Sequence, residues 1–405
     1  MKKELLFILF VFVTLNAFSQ VLIKGKVVSS RNEVLEGASV YLNNTTVGTT
    51  TNENGEFRLK IKEGNYDLVV SFIGYKTSQI KINTNIKVGF LNFKLKPDAN
   101  ILEEVIIRKT KYDANWKHSL FRFKQVFLGR TRLAKECKIL NPKVLHFEYN
   151  PKTNEFTAEV SEPLKIKHKS LGYLITYDLV DFSIKGRRFY FSGYARYKNL
   201  KQTIKKRWKR NRLEAFNGSQ MHFLRSLIAG DLKEEGFVVN QFKRELNPER
   251  PTEAEIKAAR ELIRLSRKSI NFSKKITVPK TALDSALIVS RKSRKPKFLD
   301  YLYKRDVPYN EMISNLDNTH FLNFKNYLSI IYLREYEEEN YLKGMFRKEK
   351  KAPGFQTSSI VLLEGKSIID NSGFLINPNA VFNEGYWGFE SFANMLPLDY
   401  QPPKD

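Results

Sequence analysis

The chain has 405 residues with 69 Lys and Arg against 43 Asp and Glu, a formal net charge of +26, which excludes an acidic disordered tail and a charge-balanced cytosolic enzyme. With 42% hydrophobic residues, 30 Phe and 19 Tyr it can bury substantial cores, and its length suggests two or three domains. A single cysteine, Cys137, excludes an internal disulfide framework and a Cys-rich zinc site, and five scattered histidines leave little scope for metal chemistry.

The first residues, Met1-Lys2-Lys3-Glu4, lead into an apolar run from Leu5 to Leu15 and then Asn16-Ala17-Phe18-Ser19. A basic start, a short apolar middle and small residues at the end define a secretory signal peptide over 1–19, cleaved after Ser19. No cysteine follows, so a lipoprotein anchor is not expected. Beyond residue 20 no apolar run reaches the length of about 20 residues that a spanning helix needs, and the mature part is expected to be soluble.

Residues 20–96 alternate apolar and polar positions in short segments, the pattern of half-buried strands. Seven strands are predicted: Leu22–Val28, Ala38–Leu42, Val47–Thr51, Glu56–Ile61, Tyr66–Phe72, Lys76–Ile82 and Lys87–Leu95. Asn54-Gly55 reads as a tight hairpin turn, and Gly64-Asn65 as a second turn. The residues Gly25-Lys-Val27, Leu35-Glu-Gly37-Ala38-Ser-Val40, Gly48-Thr-Thr-Thr-Asn52-Glu-Asn-Gly55-Glu-Phe57 and Ile73-Gly74-Tyr75 together resemble the carboxypeptidase-regulatory-like family of transthyretin-type β-sandwiches. The resemblance implies an accessory fold found in secreted and outer-membrane proteins of Bacteroidetes-type bacteria, with no reaction attached. Asn52 stands where that family usually carries Asp, which should keep the turn and remove a carboxylate.

Residues 97–110 read as a linker with the strand-like Leu102–Ile107, and 111–405 as an α+β domain of unknown function. Trp116, Leu120, Phe123 and Phe127 form a helical stripe. Strands are expected at Val144–Tyr149, Glu155–Val160, Leu164–Lys169, Leu174–Ile184 and Arg187–Tyr197, forming an antiparallel sheet with packed helices. Arg207–Ile228 reads as helix broken near Asn217-Gly218-Ser219. A further helix begins at Thr252, whose hydroxyl and Glu255 can form a capping box, and ends among Arg264, Arg267 and Lys268. Residues 271–297 read as a polar excursion, and late strands are expected at Tyr327–Tyr336 and Thr357–Leu363. Phe127-Leu-Gly129, Cys137–Pro142, Leu171-Gly-Tyr173, Trp208–Arg212, Gly218–Leu227 and Gly385-Tyr-Trp387 through Leu396–Tyr400 resemble a companion region of secreted Bacteroidetes-type proteins, without a known activity. The fold class is therefore α+β, mainly antiparallel β, with an N-terminal seven-stranded sandwich.

None of the five histidines has Glu three residues on, so a zinc carboxypeptidase is not expected, and no catalytic, cofactor or metal residues are assigned. The sharpest polar feature is 201–212, with seven cations and no acid; 291–297 holds five more. Lys205, Lys206, Arg207, Lys209, Arg210 and Arg212 are the candidate anion-binding residues. A solvated basic helix is the competing reading, with Trp208 facing the core beside Ile204. Because the chain is read as exported, to the periplasm or the outer membrane, nucleic acid is not the expected partner. An envelope protein, an anionic envelope polymer or a peripheral outer-membrane contact is. The expected function is non-catalytic binding or assembly in the cell envelope. The alternatives are a hydrolase assembled from Asp178, Asp181, Glu384 and Glu390, or a glycan-binding surface at Tyr386 and Trp387. Asp284-Ser285-Ala286 resembles a short O-glycosylation acceptor.

Overall fold

The computed structural model describes residues 20–98, 111–186, 188–266, 276–316, 319–343, 352–370, 372–377 and 380–403. The signal peptide expected over 1–19, the expected strand Leu102–Ile107, and Arg267 and Lys268 lie outside the described residues. The first seven strands are β1 (Gln20–Ser29), β2 (Ser39–Leu42), β3 (Gly48–Thr50), β4 (Glu56–Lys62), β5 (Asn65–Ser71), β6 (Ser78–Asn83) and β7 (Leu91–Leu95). They form two sheets, β4-β1-β7 and β3-β2-β5-β6. Strand β4 shows why: Phe57, Leu59 and Ile61 point into a core shared with Ile23, Val40 and Leu68, while the residues between them face solvent. The β1–β7 pair is parallel, a departure from an all-antiparallel reading. Gly25 sits at this join, where a Cβ would stand 2.4 Å from the Leu91 carbonyl oxygen and 2.6 Å from the Phe57 ring.

The Asn54-Gly55 turn corrects one expectation. Gly55 has φ +71°, as a tight turn requires, but β3 and β4 belong to different sheets, so the turn carries the chain across the sandwich and does not close a hairpin. Asn52 keeps the turn in place of Asp, its Oδ1 accepting from the Asn54 and Glu56 amides at 3.1 and 2.8 Å.

A second core lies between helix α1 (Ala114–Phe127) and a six-stranded sheet of β8 (Cys137–Ile139), β9 (Leu145–Asn150), β10 (Glu155–Val160), β11 (Leu164–His168), β12 (Tyr173–Lys185) and β13 (Arg188–Asn199). Asp113 caps α1 by accepting from the Trp116 amide at 3.0 Å. Half of the expected stripe is buried: Phe123 and Phe127 are fully inside, with ring centroids 4.6 Å from Phe182 and 4.7 Å from Phe392 respectively, while Trp116 and Leu120 are half-buried. Truncating either Phe to Ala would cost about 3–5 kcal/mol.

The remainder contains α2 (Lys206–Phe216), α3 (Gln220–Ala229), β14 (Phe237–Leu246), α4 (Glu253–Leu265), α5 (Ala282–Lys292), β15 (Phe298–Lys304), β16 (Ile313–Leu316), β17 (Thr319–Leu322) and β18 (Tyr327–Tyr336). After these come α6 (Glu339–Leu342), β19 (Phe355–Leu362), β20 (Ser367–Asp370), β21 (Phe374–Leu375), β22 (Val381–Gly385) and α7 (Tyr386–Glu390). Two sheets result, β15-β14-β18-β19-β22 and β16-β17-β20-β21, and α3 lays Phe223 against Phe237 of β14 in a third core. Helix α5 falls inside 271–297, the stretch read as an excursion. Among the described residues no helix is long and apolar enough to cross a membrane.

The sandwich is docked directly on the second sheet. The Asn44 amide donates to the Ala195 carbonyl at 2.8 Å and the Tyr197 amide to the Thr45 carbonyl at 3.0 Å, so the β2–β3 loop extends the edge of β13. Thr77 bonds Asp178 from the other side. The C-terminal segment completes the joint, with the Leu398 amide donating to the Asn44 carbonyl at 2.7 Å. Arg225 of α3 holds that segment by donating to the carbonyls of Leu398 and Tyr400 at 3.0 and 2.9 Å.

Candidate anion-binding site

Helix α2 begins after Lys205 and runs without Gly or Pro to Phe216, with Gly218 in the left-handed region just beyond. Its buried residues, Trp208, Asn211, Arg212, Ala215 and Phe216, follow the helical spacing of one face. Three of them carry polar atoms, and each finds a carbonyl on the turn between β11 and β12. Trp208 Nε1 donates to Lys169 O at 2.9 Å, Asn211 Nδ2 to Ser170 O at 2.9 Å, and Arg212 Nε to Leu171 O at 2.8 Å. The helix thereby satisfies three successive carbonyls that the turn would otherwise leave unpaired. Gly172 permits the approach: its φ is +73° and a Cβ would lie 2.2 Å from the Trp208 ring.

Arg212 therefore leaves the set of anion-binding candidates. It is 5% exposed, bonds Asn199 Oδ1 at 2.8 Å, and stacks 3.8 Å from the Tyr173 ring centroid. Burial lowers its pKa from the ordinary arginine value, yet these acceptors and the π face hold the guanidinium in place. Trp208 faces the core as expected, whereas Ile204 precedes the helix and is half-buried.

Lys205, Lys206, Arg207, Lys209 and Arg210 are exposed. Two of them line a cavity of about 350 Å³ together with Lys169, Leu200 and Trp208. The Lys205 ammonium lies 5.5 Å from the Trp208 ring centroid. Arg207 donates to Glu136 at 2.9 Å and to Lys169 O at 3.3 Å. Glu136 also accepts from Ser170 Oγ at 3.1 Å, so the rim carries three cations against one carboxylate. Such a rim attracts phosphate or carboxylate by field and by charge-assisted hydrogen bonds, over an apolar floor of Leu200 and indole. The sequence reading missed Lys169 and Leu200; the signal was the Lys-Ser-Leu-Gly turn that Trp208 packs on.

The other sequence candidates lie elsewhere. Tyr386 and Trp387 are buried, at 3% and 9% exposure, and Trp387 Nε1 donates to Gly218 O at 2.7 Å. They are core residues, which removes the glycan surface expected there. Of the four carboxylates considered for hydrolysis, Asp178 bonds Thr77, Asp181 is exposed, Glu384 pairs with Arg244 at 2.7 Å, and Glu390 is buried beside Asn394. Each has its own surroundings, and the fold does not join them in one site. Ser285 is exposed on α5, directly after Asp284, which forms a capping box with Thr281.

The fold does bring other titratable groups together. Burial pushes Glu390 up to about 8, with Asn394 offsetting this and the charges of Glu335 and Glu338 adding to it. Burial likewise pushes Glu335 up to about 7, against the donors Asn217 and Gln356. His168 is driven down to about 4 by burial; its Nδ1 accepts from the Leu171 amide at 3.2 Å and its Nε2 lies 2.8 Å from the Ala393 carbonyl. His222 is lowered by burial despite Glu235 at 3.0 Å. Burial raises the Cys137 thiol to about 12, so it is not poised as a nucleophile.

Residues 23–107 match the family model of the CarboxypepD_reg-like domain. The chain is 36% identical over 107 residues to the TonB-dependent receptor SusC of Bacteroides thetaiotaomicron, covering 26% of this chain and 10% of that protein. It is 27% identical over 86 residues to the TonB-dependent receptor P3 of Formosa agariphila, covering 21% of this chain and 8% of that protein. The match thus spans a tenth or less of the curated relatives' length. Two solved structures are similar at 10% identity: a DUF3823 family protein from Bacteroides ovatus, covering 45% of this chain and 83% of that one with a TM-score of 0.17, and a protein of unknown function from Bacteroides fragilis, covering 91% and 95% with a TM-score of 0.16. Superpositions at those scores do not bear on the fold. Residues 23–107 of this chain are thus similar to the CarboxypepD_reg-like domain, and the chain's matches to the two TonB-dependent receptors are confined to about a quarter of its length.

Proposed function

We propose that the protein is a non-catalytic component of the cell envelope that binds or helps to assemble an anionic envelope partner through the basic end of α2. The cation-rimmed cavity of Lys169, Lys205, Arg207, Leu200 and Trp208 carries this reading. The regulatory-like domain and the leader-like start of the sequence support export. The side chains that would suggest chemistry support a structural role: His168, His222, Arg212 and Trp387 are buried and hydrogen-bonded to the fold.

The test is capture of the tagged mature chain's partner from native envelope extract at low and high salt, beside a variant with Lys205, Lys206, Lys209 and Arg210 changed to Gln. Capture of a defined envelope polymer or outer-membrane protein that weakens with salt and is lost in the variant is the expected outcome. Equal capture by the variant, or residue-dependent turnover of a peptide, ester or glycan, contradicts the reading.

A further inference from the structure

We infer that the cavity at the start of α2 binds an anionic amphiphile, with a phosphate or carboxylate head among Lys169, Lys205 and Arg207 and the first carbons of an apolar body against Leu200 and the Trp208 indole. The inference rests on the reading above that the protein meets anionic envelope material, and it names the ligand's chemistry. The cavity, about 350 Å³, is at the lower end of small-ligand pockets, which run from about 300 to 1,000 Å³. It suits a head group and a few carbons, not a long chain.

The distribution of polar and apolar groups selects the class. Lys169 and Lys205 form no ion pair among the described residues, and only Arg207 is engaged by Glu136. The cations thus leave net positive charge at the rim. Beneath it, Leu200 and the indole offer apolar contact, and the indole N–H is already spent on Lys169 O. A bare hydrophilic anion would use the rim and leave the floor in water; a neutral apolar molecule would leave the cations unanswered. An ion with an apolar body satisfies both. The floor is also rigid, because Trp208 is pinned between that hydrogen bond and Gly172, so little is lost in ordering it. Lys206, Lys209 and Arg210, exposed on the same helix, add the longer-range field that draws a basic segment to an anionic lipid surface.

The experiment is calorimetric titration of the full mature chain with n-hexyl phosphate, inorganic phosphate and hexanol. Hexyl phosphate should bind at least about tenfold more tightly than inorganic phosphate, and hexanol should not compete. K169Q/K205Q should weaken hexyl phosphate at least about tenfold, whereas K24Q/K60Q, which removes the same charge from the sandwich, should leave it within about twofold. Both pairs are exposed lysines, and thermal unfolding checks that each variant keeps the native midpoint. Equal affinity for inorganic and hexyl phosphate, an unchanged K169Q/K205Q, or no binding below about 10 mM overturns the inference. Co-sedimentation with phosphatidylglycerol and phosphatidylcholine vesicles distinguishes the sources: adsorption to the anionic vesicles that K169Q/K205Q abolishes assigns a membrane lipid, and hexyl phosphate binding without adsorption assigns a soluble amphiphile. Capture of an envelope partner with no hexyl phosphate binding removes this inference alone; hexyl phosphate binding without any capture removes the functional reading alone.

Discussion

Arg212 and Lys205 lie in one basic run, yet the fold uses them in opposite ways. Arg212 lies about two turns into α2 and faces the Leu171 carbonyl and the Tyr173 ring, while Lys205 precedes the first turn and stays in solvent beside the indole. Charge density in the sequence cannot separate them, because the acceptors that commit Arg212 come from a turn some forty residues earlier. The same holds for Glu390, whose buried environment is built by α7 and Asn394 and extended by Glu335 and Glu338. Its proton is held more tightly in the native state than in the unfolded chain, where the carboxyl titrates near 4.5. That contribution to stability is complete below the unfolded value and is lost as pH rises through about 8. His168 acts in the opposite sense: its pKa of about 4 lies below the ordinary 6.5, so its contribution is lost only as pH falls below that value. From about pH 6.5 to about pH 8.5, therefore, the thermal midpoint should fall, and E390Q should remove a part of the fall on the order of 2 kcal/mol. Parallel pH profiles for the native chain and E390Q would contradict the assignment. Glu390 was noticed in the sequence for another reason, and Glu335 and Glu338 were not, since their proximity is a product of tertiary structure.

At the level of elements, local signals were reliable where they were periodic or capped. All seven strands of the sandwich fall where alternation placed them, and α1 buries Phe123 and Phe127 of the expected stripe. Helix α4 begins at the Thr252–Glu255 capping box, with both reciprocal hydrogen bonds present. Thr252→Ala should destabilise this helix by about 1 kcal/mol, read as faster hydrogen exchange of the Ile256 and Lys257 amides with α1 unaffected; unchanged exchange would show that packing on α5 alone sets the helix start. Sequence reading failed where the signal was short or depended on pairing. Strand β8 has three residues, too few for a period. Helix α5 was hidden in a polar stretch, although Thr281 and Asp284 form the same kind of box as in α4. The Asn54-Gly55 turn was recognised, but which strands it joins depends on the two-sheet arrangement.

The whole molecule is held by contacts between residues far apart in the chain. The β2–β3 loop continues β13, Arg225 grips the C-terminal segment, and that segment reaches Asn44 of the sandwich. Several of the stretches that resemble a companion region meet one another: Trp208 packs on Gly172, Trp387 bonds Gly218, and the Gly129 backbone runs against Glu390. Their residue types follow from these close approaches, which single-chain patterning does not reveal. With these groups committed to the fold, the cation-rimmed cavity at the start of α2 is the place we assign to ligand binding. Hydrogen exchange of the chain from residue 20 onward, with and without n-hexyl phosphate, tests that assignment most directly. The account predicts protection confined to the Lys169 turn and the Leu200–Arg210 segment, relieved in K169Q/K205Q. Protection centred on the sandwich or on the exposed β15 edge, with the α2 segment unchanged, would contradict it.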